Sequence, residues 1–227
     1  VNVRKDLDLR VWAEDVSFED AIGPHYGYRP NDAAVVREKI LRRVGEAPVV
    51  FLGAGSMGVA YGLPSGKVLK LTRDPSEVGA LSVMRGAQHP NLIQVFDAFY
   101  AVNDPTHPMP MGVGVVVRES IDSTARQVPA FDKLARLFGW ASVSGASAGD
   151  FCKGMDAYVA RLDAVAHGLN TIERVFVEGV LAAVAKLREL GICTYDLSQD
   201  NIGIIAGRPV LYDVGAASVT GADPDVI

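Results

Sequence analysis

Val49-Val-Phe-Leu-Gly53-Ala-Gly55-Ser-Met-Gly58-Val-Ala-Tyr-Gly-Leu63-Pro-Ser-Gly66-Lys-Val68-Leu-Lys70-Leu-Thr72 is the stretch whose reading decides the fold. Its β-branched and aromatic residues fall into three short runs, separated by a glycine-rich turn and then by Pro64-Ser65-Gly66, which predicts an antiparallel meander. The glycines at 53, 55 and 58 can serve a plain hairpin. They can also let the backbone approach a polyphosphate, because no Cβ intervenes and amides can face the anion. A dinucleotide-binding reading requires a helix directly after the glycines, whereas another strand follows here. Alternation puts Val68 and Lys70 on one face of the third strand. A lysine there is either solvent-facing or held in a cleft by a carboxylate, and Glu77 is the nearest candidate.

Outward from this stretch, Asp74-Pro-Ser-Glu77 is a helix start, with Asp74 as cap and Pro75 at the first helical position. Apolar runs at residues 92 to 99 and 112 to 118 supply two more strands, after His89-Pro-Asn91 and after a proline-rich loop. Three strands, a helix and two strands make a small antiparallel sheet with one helix over residues 47–118. Upstream, residues 1–46 read as a helical extension: Asn31-Asp32 cap a helix with apolar Val35, Val36, Ile40, Leu41 and Val44, and Gly45 ends it. The segment from His25 to Pro30 has no readable period and fits a packed arm or a ligand site. Residues 119–227 turn mainly helical, with helices expected over 131–138, 151–165 and 171–190 and a small-residue loop over 142–149. The last helix carries Ile172, Val175, Phe176, Val180, Leu181, Val184, Leu187 and Leu190.

The 227 residues, 49% hydrophobic and 22% charged, suit two small lobes with a sizeable core. No apolar run is long enough to span a membrane, and the start of the chain has no apolar signal core. Cys152 and Cys193 lack the clustered spacing of a zinc site or redox pair and read as free buried thiols, so a cytosolic chain is expected. A net charge of -5 argues against a surface that coats nucleic acid. His25, His107 and His167 stand outside any ligand spacing.

Two later segments carry the chemistry. Gly191-Ile-Cys-Thr-Tyr-Asp196-Leu-Ser-Gln-Asp-Asn201-Ile-Gly-Ile-Ile205 follows the last helix and ends in a short apolar strand. After a Gly207-Arg-Pro209 turn comes Val210-Leu-Tyr-Asp213-Val-Gly215. The twelve-residue separation of Asn201 and Asp213 suits a hairpin that brings the two positions near each other. A polar loop of Asx turns explains the aspartates but not the flanking helix and strand. A glycosidase carboxylate pair leaves the lysine and the glycine turn without a role.

In order and spacing these pieces resemble the protein-kinase-like family, over roughly residues 48 to 218. The resemblance implies an α+β, two-lobed fold with a small antiparallel-sheet N-lobe and a shortened, mainly helical C-lobe. It implies ATP bound with Mg²⁺ (or Mn²⁺) between the lobes and transfer of the γ-phosphoryl group to a hydroxyl. Lys70 would hold the phosphates, Glu77 would position it, Asp196 would be the base, and Asn201 and Asp213 would hold the metal. Gly53, Gly55, Ser56 and Gly58 would cover the phosphates. Leu52, Ala60 and Val68 would sandwich the adenine, and Glu119 would lie in the hinge segment from Arg118 to Ser120.

The chain departs from the family at several points. Thr194 and Tyr195 stand for His-Arg, Ser198 for a phosphate-contacting lysine and Val214 for phenylalanine. Little sequence follows Asp213, so activation-loop phosphorylation and the usual peptide platform are not expected. A protein serine or threonine is the expected acceptor. A nucleotide-binding module without turnover and a small-molecule kinase of the aminoglycoside phosphotransferase type are the alternatives; neither a nucleic-acid nor a membrane partner is expected.

Overall fold

The meander forms as β1 (Val50–Ala54), β2 (Gly58–Gly62) and β3 (Val68–Thr72), paired antiparallel with Ala60 opposite Lys70. The computed structural model describes residues 17–22, 29–55, 57–104, 112–129, 131, 156–157, 159–160, 164, 168–194, 197–215 and 217–227. The architecture is mixed α+β, and the chain divides into two compact units. The first comprises Val1–Arg85, Val95–Ser120 and Asp223–Ile227; the second comprises Gly86–Gln94 and Ile121–Ala222. Among the described residues, no helix is long and apolar enough to cross a membrane.

The first unit is built on a six-stranded sheet. With β4 (Val95–Val102), β5 (Gly112–Arg118) and β11 (Asp225–Val226), its order is β1-β2-β3-β5-β4-β11, all antiparallel except the β11–β4 pair. One face presents Val59, Tyr61, Leu69, Leu71, Phe99, Val113, Val115 and Val117. Helices α1 (Phe18–Ala21) and α2 (Pro30–Val44) cover that face with Phe18, Ala33, Val36 and Ile40. A fully buried Phe, Val or Ile contributes about 1.5–3 kcal/mol, so α1 and α2 belong to the core of this unit.

Helix α2 starts earlier than the Asn31-Asp32 cap predicts. Pro30 takes the first helical position after Arg29, because its fixed φ suits that site and its missing N–H costs nothing there. Gly45 ends the helix at φ 80°, as expected. Arg43 ties the C-terminal turn of α2 to the sheet through Asp97 (2.7 Å) and Asp225 (2.5 Å), with its guanidinium over Phe99.

By alternation, Gly58, Ala60, Gly62, Val68, Lys70, Thr72 and Gly114 lie on the opposite face. Here α3 (Pro75–Met84) packs, capped as predicted by the Asp74 carboxylate on Ser76 N–H at 2.8 Å. A Cβ on Gly114 would lie 2.5 Å from Val78 Cγ2 and 2.9 Å from the Thr72 carbonyl oxygen, so glycine is what lets α3 lie close to the sheet.

The second unit centres on α4 (Thr171–Glu189), started by a reciprocal Asn170–Glu173 capping box. It buries Phe176, Val180, Val184 and Leu187, whereas Ile172 and Val175, expected on the apolar face, are exposed. Phe131 stacks on Phe176 at 4.5 Å. Strands β6 (Ser123–Thr124), β8 (Ile202–Ile205) and β9 (Arg208–Leu211) form one small sheet, and β7 (Ile192–Thr194) with β10 (Ala217–Val219) another.

The segment at 91–93 is stitched to β9 rather than forming the start of β4. Asn91 Nδ2 donates to Pro209 O (2.8 Å), Leu211 N to Asn91 O, and Ile93 N to Leu211 O. Gly179 of α4 faces this seam, where a Cβ would come 2.6 Å from Pro209 and 2.7 Å from Asn91. The helices expected over 131–138 and 151–165 and the loop over 142–149 fall largely or wholly outside the described residues.

Candidate active site

In the first unit, Lys70 Nζ meets Glu77 Oε1 at 2.6 Å, with the lysine side chain 13% and the glutamate 2% exposed. β3 delivers Lys70 to the α3 face, and the Asp74 cap begins a helix whose third residue is Glu77. A carboxylate in the first helical turn also lies where the positive end of the helix dipole favours it. The second oxygen, Oε2, accepts from the Thr72 hydroxyl at 2.7 Å. That hydroxyl in turn accepts from Asp74 N–H at 3.1 Å. Thr72 was not singled out by the sequence; the only available signal was a hydroxyl two residues beyond the lysine and two before the helix cap.

The three glycines play different structural parts. Gly53 has φ 152°, which side-chain-bearing residues rarely adopt. Gly58 lies so close to β3 that a Cβ would sit 2.1 Å from Leu71 O. Gly55 N–H closes the turn onto Gly58 O at 2.8 Å, and its own Cβ would meet nothing within 4 Å. Ser56 lies outside the described residues. Met57 O accepts from Arg73 N–H at 2.8 Å, which fastens the turn to the end of β3.

The proposed adenine contacts share the Lys70 face. Val50 and Leu52 project over Gly62, whose absent Cβ would lie 2.7 Å from Val50 Cγ1 and 3.8 Å from Leu52 Cδ2. Gly62 pairs with Val68, and Ala60 with Lys70. Leu52 is 53% exposed, a large apolar side chain left open on this face. Arg118 is buried and donates to the Glu119 carbonyl at 3.2 Å, at the segment where the chain passes from the first unit to the second.

In the second unit, the β8–β9 hairpin brings Asn201 and Asp213 together. Ile202 pairs with Leu211, and Tyr212 N–H donates to Asn201 O at 3.2 Å, so Asp213 follows directly on that contact. Asp213 Oδ1 accepts from Gly215 N–H at 3.2 Å in an Asx turn. Thr194 Oγ1 donates to Gly215 O at 3.0 Å, and Thr194 pairs with Ala217. The strand that leads toward position 196 is thereby joined to the segment after Asp213. Asp196 itself lies outside the described residues; Leu197 beside it, and Val214 beside Asp213, are fully buried.

Cys193 is disulfide-bonded, which corrects the expectation of a free thiol and removes one support for a cytosolic chain. Cys152 lies outside the described residues. The chain matches no protein-family model and no curated protein.

Proposed function

We propose that this chain is a kinase-like phosphotransferase that binds ATP and passes its γ-phosphoryl group to a hydroxyl. The observation that carries the proposal is the buried Lys70–Glu77 pair, set on the same sheet face as Leu52, Ala60 and Val68 and next to the glycine turn. A largely buried ammonium aligned by a buried carboxylate is costly to keep without a purpose, and in kinases the glutamate of such a pair positions the lysine that contacts the phosphates.

In this mechanism the first unit binds the nucleotide. Leu52, Ala60 and Val68 pack on the adenine, Glu119 borders it, Lys70 holds the phosphates, and Gly53, Gly55, Ser56 and Gly58 cover them. The second unit supplies the Asn201 amide oxygen and the Asp213 carboxylate, a hard-oxygen donor set that fits Mg²⁺ or Mn²⁺. When bound, that ion neutralises charge on the phosphate oxygens. Asp196 orients the acceptor hydroxyl and takes its proton. The glycine turn and the His89-Pro-Asn91 segment favour a protein serine or threonine as acceptor.

The test is to incubate the pure protein with labelled ATP and magnesium, alone and with a generic protein substrate, and to record its melting temperature with and without Mg-ATP. Transfer of label with a raised melting temperature is the expected result. An unmoved transition at millimolar Mg-ATP would refute the nucleotide assignment; a raised transition without transfer to any acceptor would reassign the chain as a nucleotide-binding module.

A further inference from the structure

We infer that Thr72 is a positioning residue that holds the Lys70–Glu77 pair formed in the nucleotide-free protein, so that the pair is built into the chain and not assembled by a partner or a modification. This inference rests on the proposed nucleotide site and adds its mode of regulation.

A threonine hydroxyl has one proton to donate. At Thr72 the oxygen already accepts from Asp74 N–H (3.1 Å), and Glu77 Oε2 at 2.7 Å is a much closer acceptor for the proton than Met57 O at 3.4 Å. The proton therefore goes to Glu77, a charge-assisted bond. Both carboxylate oxygens are then committed, Oε2 to Thr72 and Oε1 to Lys70, and the plane of the carboxylate is set.

The circuit is also local. Lys70, Thr72, Asp74 and Glu77 all fall within eight residues, so closing it orders little chain. Its frame is fixed independently of a ligand: Met57 O is bonded to Arg73 N–H, the Asp74 cap fixes the helix start, and Gly114 leaves room for the Thr72 methyl, whose carbon lies 2.8 Å from the position a Cβ would take there. A glutamate placed farther along a helix could swing away with it. Glu77 stands in the first turn of a helix whose start is fixed by the Asp74 cap, so its backbone stays beside β3 and its side chain is held there by the Thr72 hydroxyl.

The test compares Thr72→Val, which keeps the shape and loses the hydroxyl, with Thr72→Ser, which keeps the hydroxyl. The first readout is the rate at which an amine-selective reagent labels Lys70 without nucleotide, measured by peptide mass spectrometry with Lys39 and Lys186 as internal references. The second is the Mg-ATP dissociation constant. Thr72→Val is expected to speed Lys70 labelling about tenfold or more and to weaken Mg-ATP by a similar factor, the scale of a lost hydrogen bond to a charged group. Thr72→Ser should restore both. If Thr72→Val does not fold, Thr72→Ala replaces it with the same expectation. Unchanged Lys70 labelling in the hydroxyl-free variant overturns the inference whatever happens to ATP. Faster labelling, rescued by serine, in a protein that never binds Mg-ATP establishes the Thr72 clamp and removes the nucleotide assignment instead.

Discussion

Gly58→Ala and Gly55→Ala are expected to fail in opposite ways, although they stand three residues apart in one motif. A Cβ on Gly58 would lie 2.1 Å from Leu71 O, against 3.4–4 Å for ordinary contact, so the start of β2 must move from β3 by more than an ångström. The obstacle is backbone, not the end of a flexible side chain, and overpacking of this kind costs about 1–3 kcal/mol. For a chain of this size that lowers the melting temperature by about 3–10 °C. Gly55 meets nothing within 4 Å and is not in the left-handed region, so alanine there leaves the free protein within about 2 °C or slightly stabilises it. In the proposed function, what Gly55 provides is open backbone for the phosphates. A tenfold loss in Mg-ATP affinity removes about 1.4 kcal/mol of ligand stabilisation at a fixed excess of nucleotide, or about 3–5 °C of the ligand-induced rise. Differential scanning fluorimetry with and without Mg-ATP measures both effects. The reasoning fails if Gly55→Ala destabilises the free protein as much as Gly58→Ala, or if it keeps the whole nucleotide-induced rise.

Three further outcomes are expected. Lys70→Met should abolish most of the Mg-ATP-induced rise in melting temperature; a full rise in that variant would remove Lys70 from the site. Asp196→Asn should keep nucleotide binding within roughly an order of magnitude while slowing phosphoryl transfer about a hundredfold or more, whereas Asp213→Ala should weaken magnesium-dependent binding as well; equal transfer by wild type and Asp196→Asn would exclude the base. The Asp225 carboxyl is held below its ordinary range, first by its hydrogen bond from Arg43 and then by the Arg43 charge, so its contribution is present above the unfolded value near 3.8 and is lost as the pH falls through the lower folded value. The protection factors (exchange relative to the intrinsic rate at the same pH) of the Val102 and Ile227 amides, whose hydrogen bonds (3.0 and 2.9 Å) hold the last residues to β4, should therefore fall below about pH 4, and Asp225→Asn should show the lowered protection at all pH. Identical profiles for the two proteins would show that the clamp does not hold the strand.

Legibility in the sequence followed the range of the interactions. The meander, the Asp74-capped helix and helix α4 were readable because turn glycines, caps and apolar periods are local signals. The start of β4 was misplaced because apolar residues at 92–93 bond to Leu211, and nothing within the run distinguishes that partner from a strand neighbour. Likewise Ile172 and Val175 obey the helical period but lie outside the face that α4 buries. The packing of α1 and α2 onto the sheet depended on which face of the meander was left uncovered, a fact of tertiary assembly that neither segment states alone. Cys193 shows the same limit: spacing could not reveal that it is disulfide-bonded.

At the candidate site the division runs between identity and geometry. Lys70 and Glu77 could be named as partners from their types and separation, but their separation left two outcomes, a cleft pair or two independent surface charges. What decides between them is Thr72, because a carboxylate with one oxygen on a lysine can rotate, while one with both oxygens engaged cannot. The same physical distinction separates Asn201 and Asp213 as sequence candidates from Asn201 and Asp213 as neighbours. The Tyr212 N–H to Asn201 O bond and the β8–β9 register fix the backbone on which both oxygen donors stand, and a hairpin slipped by one residue would turn Asp213 to the other face. Arg208→Gly or Pro209→Gly, which loosen that hairpin without touching either donor, should therefore weaken Mg²⁺-dependent nucleotide binding more than nucleotide binding measured in EDTA. Equal losses in the two conditions would show that the register of the hairpin does not set the metal donors.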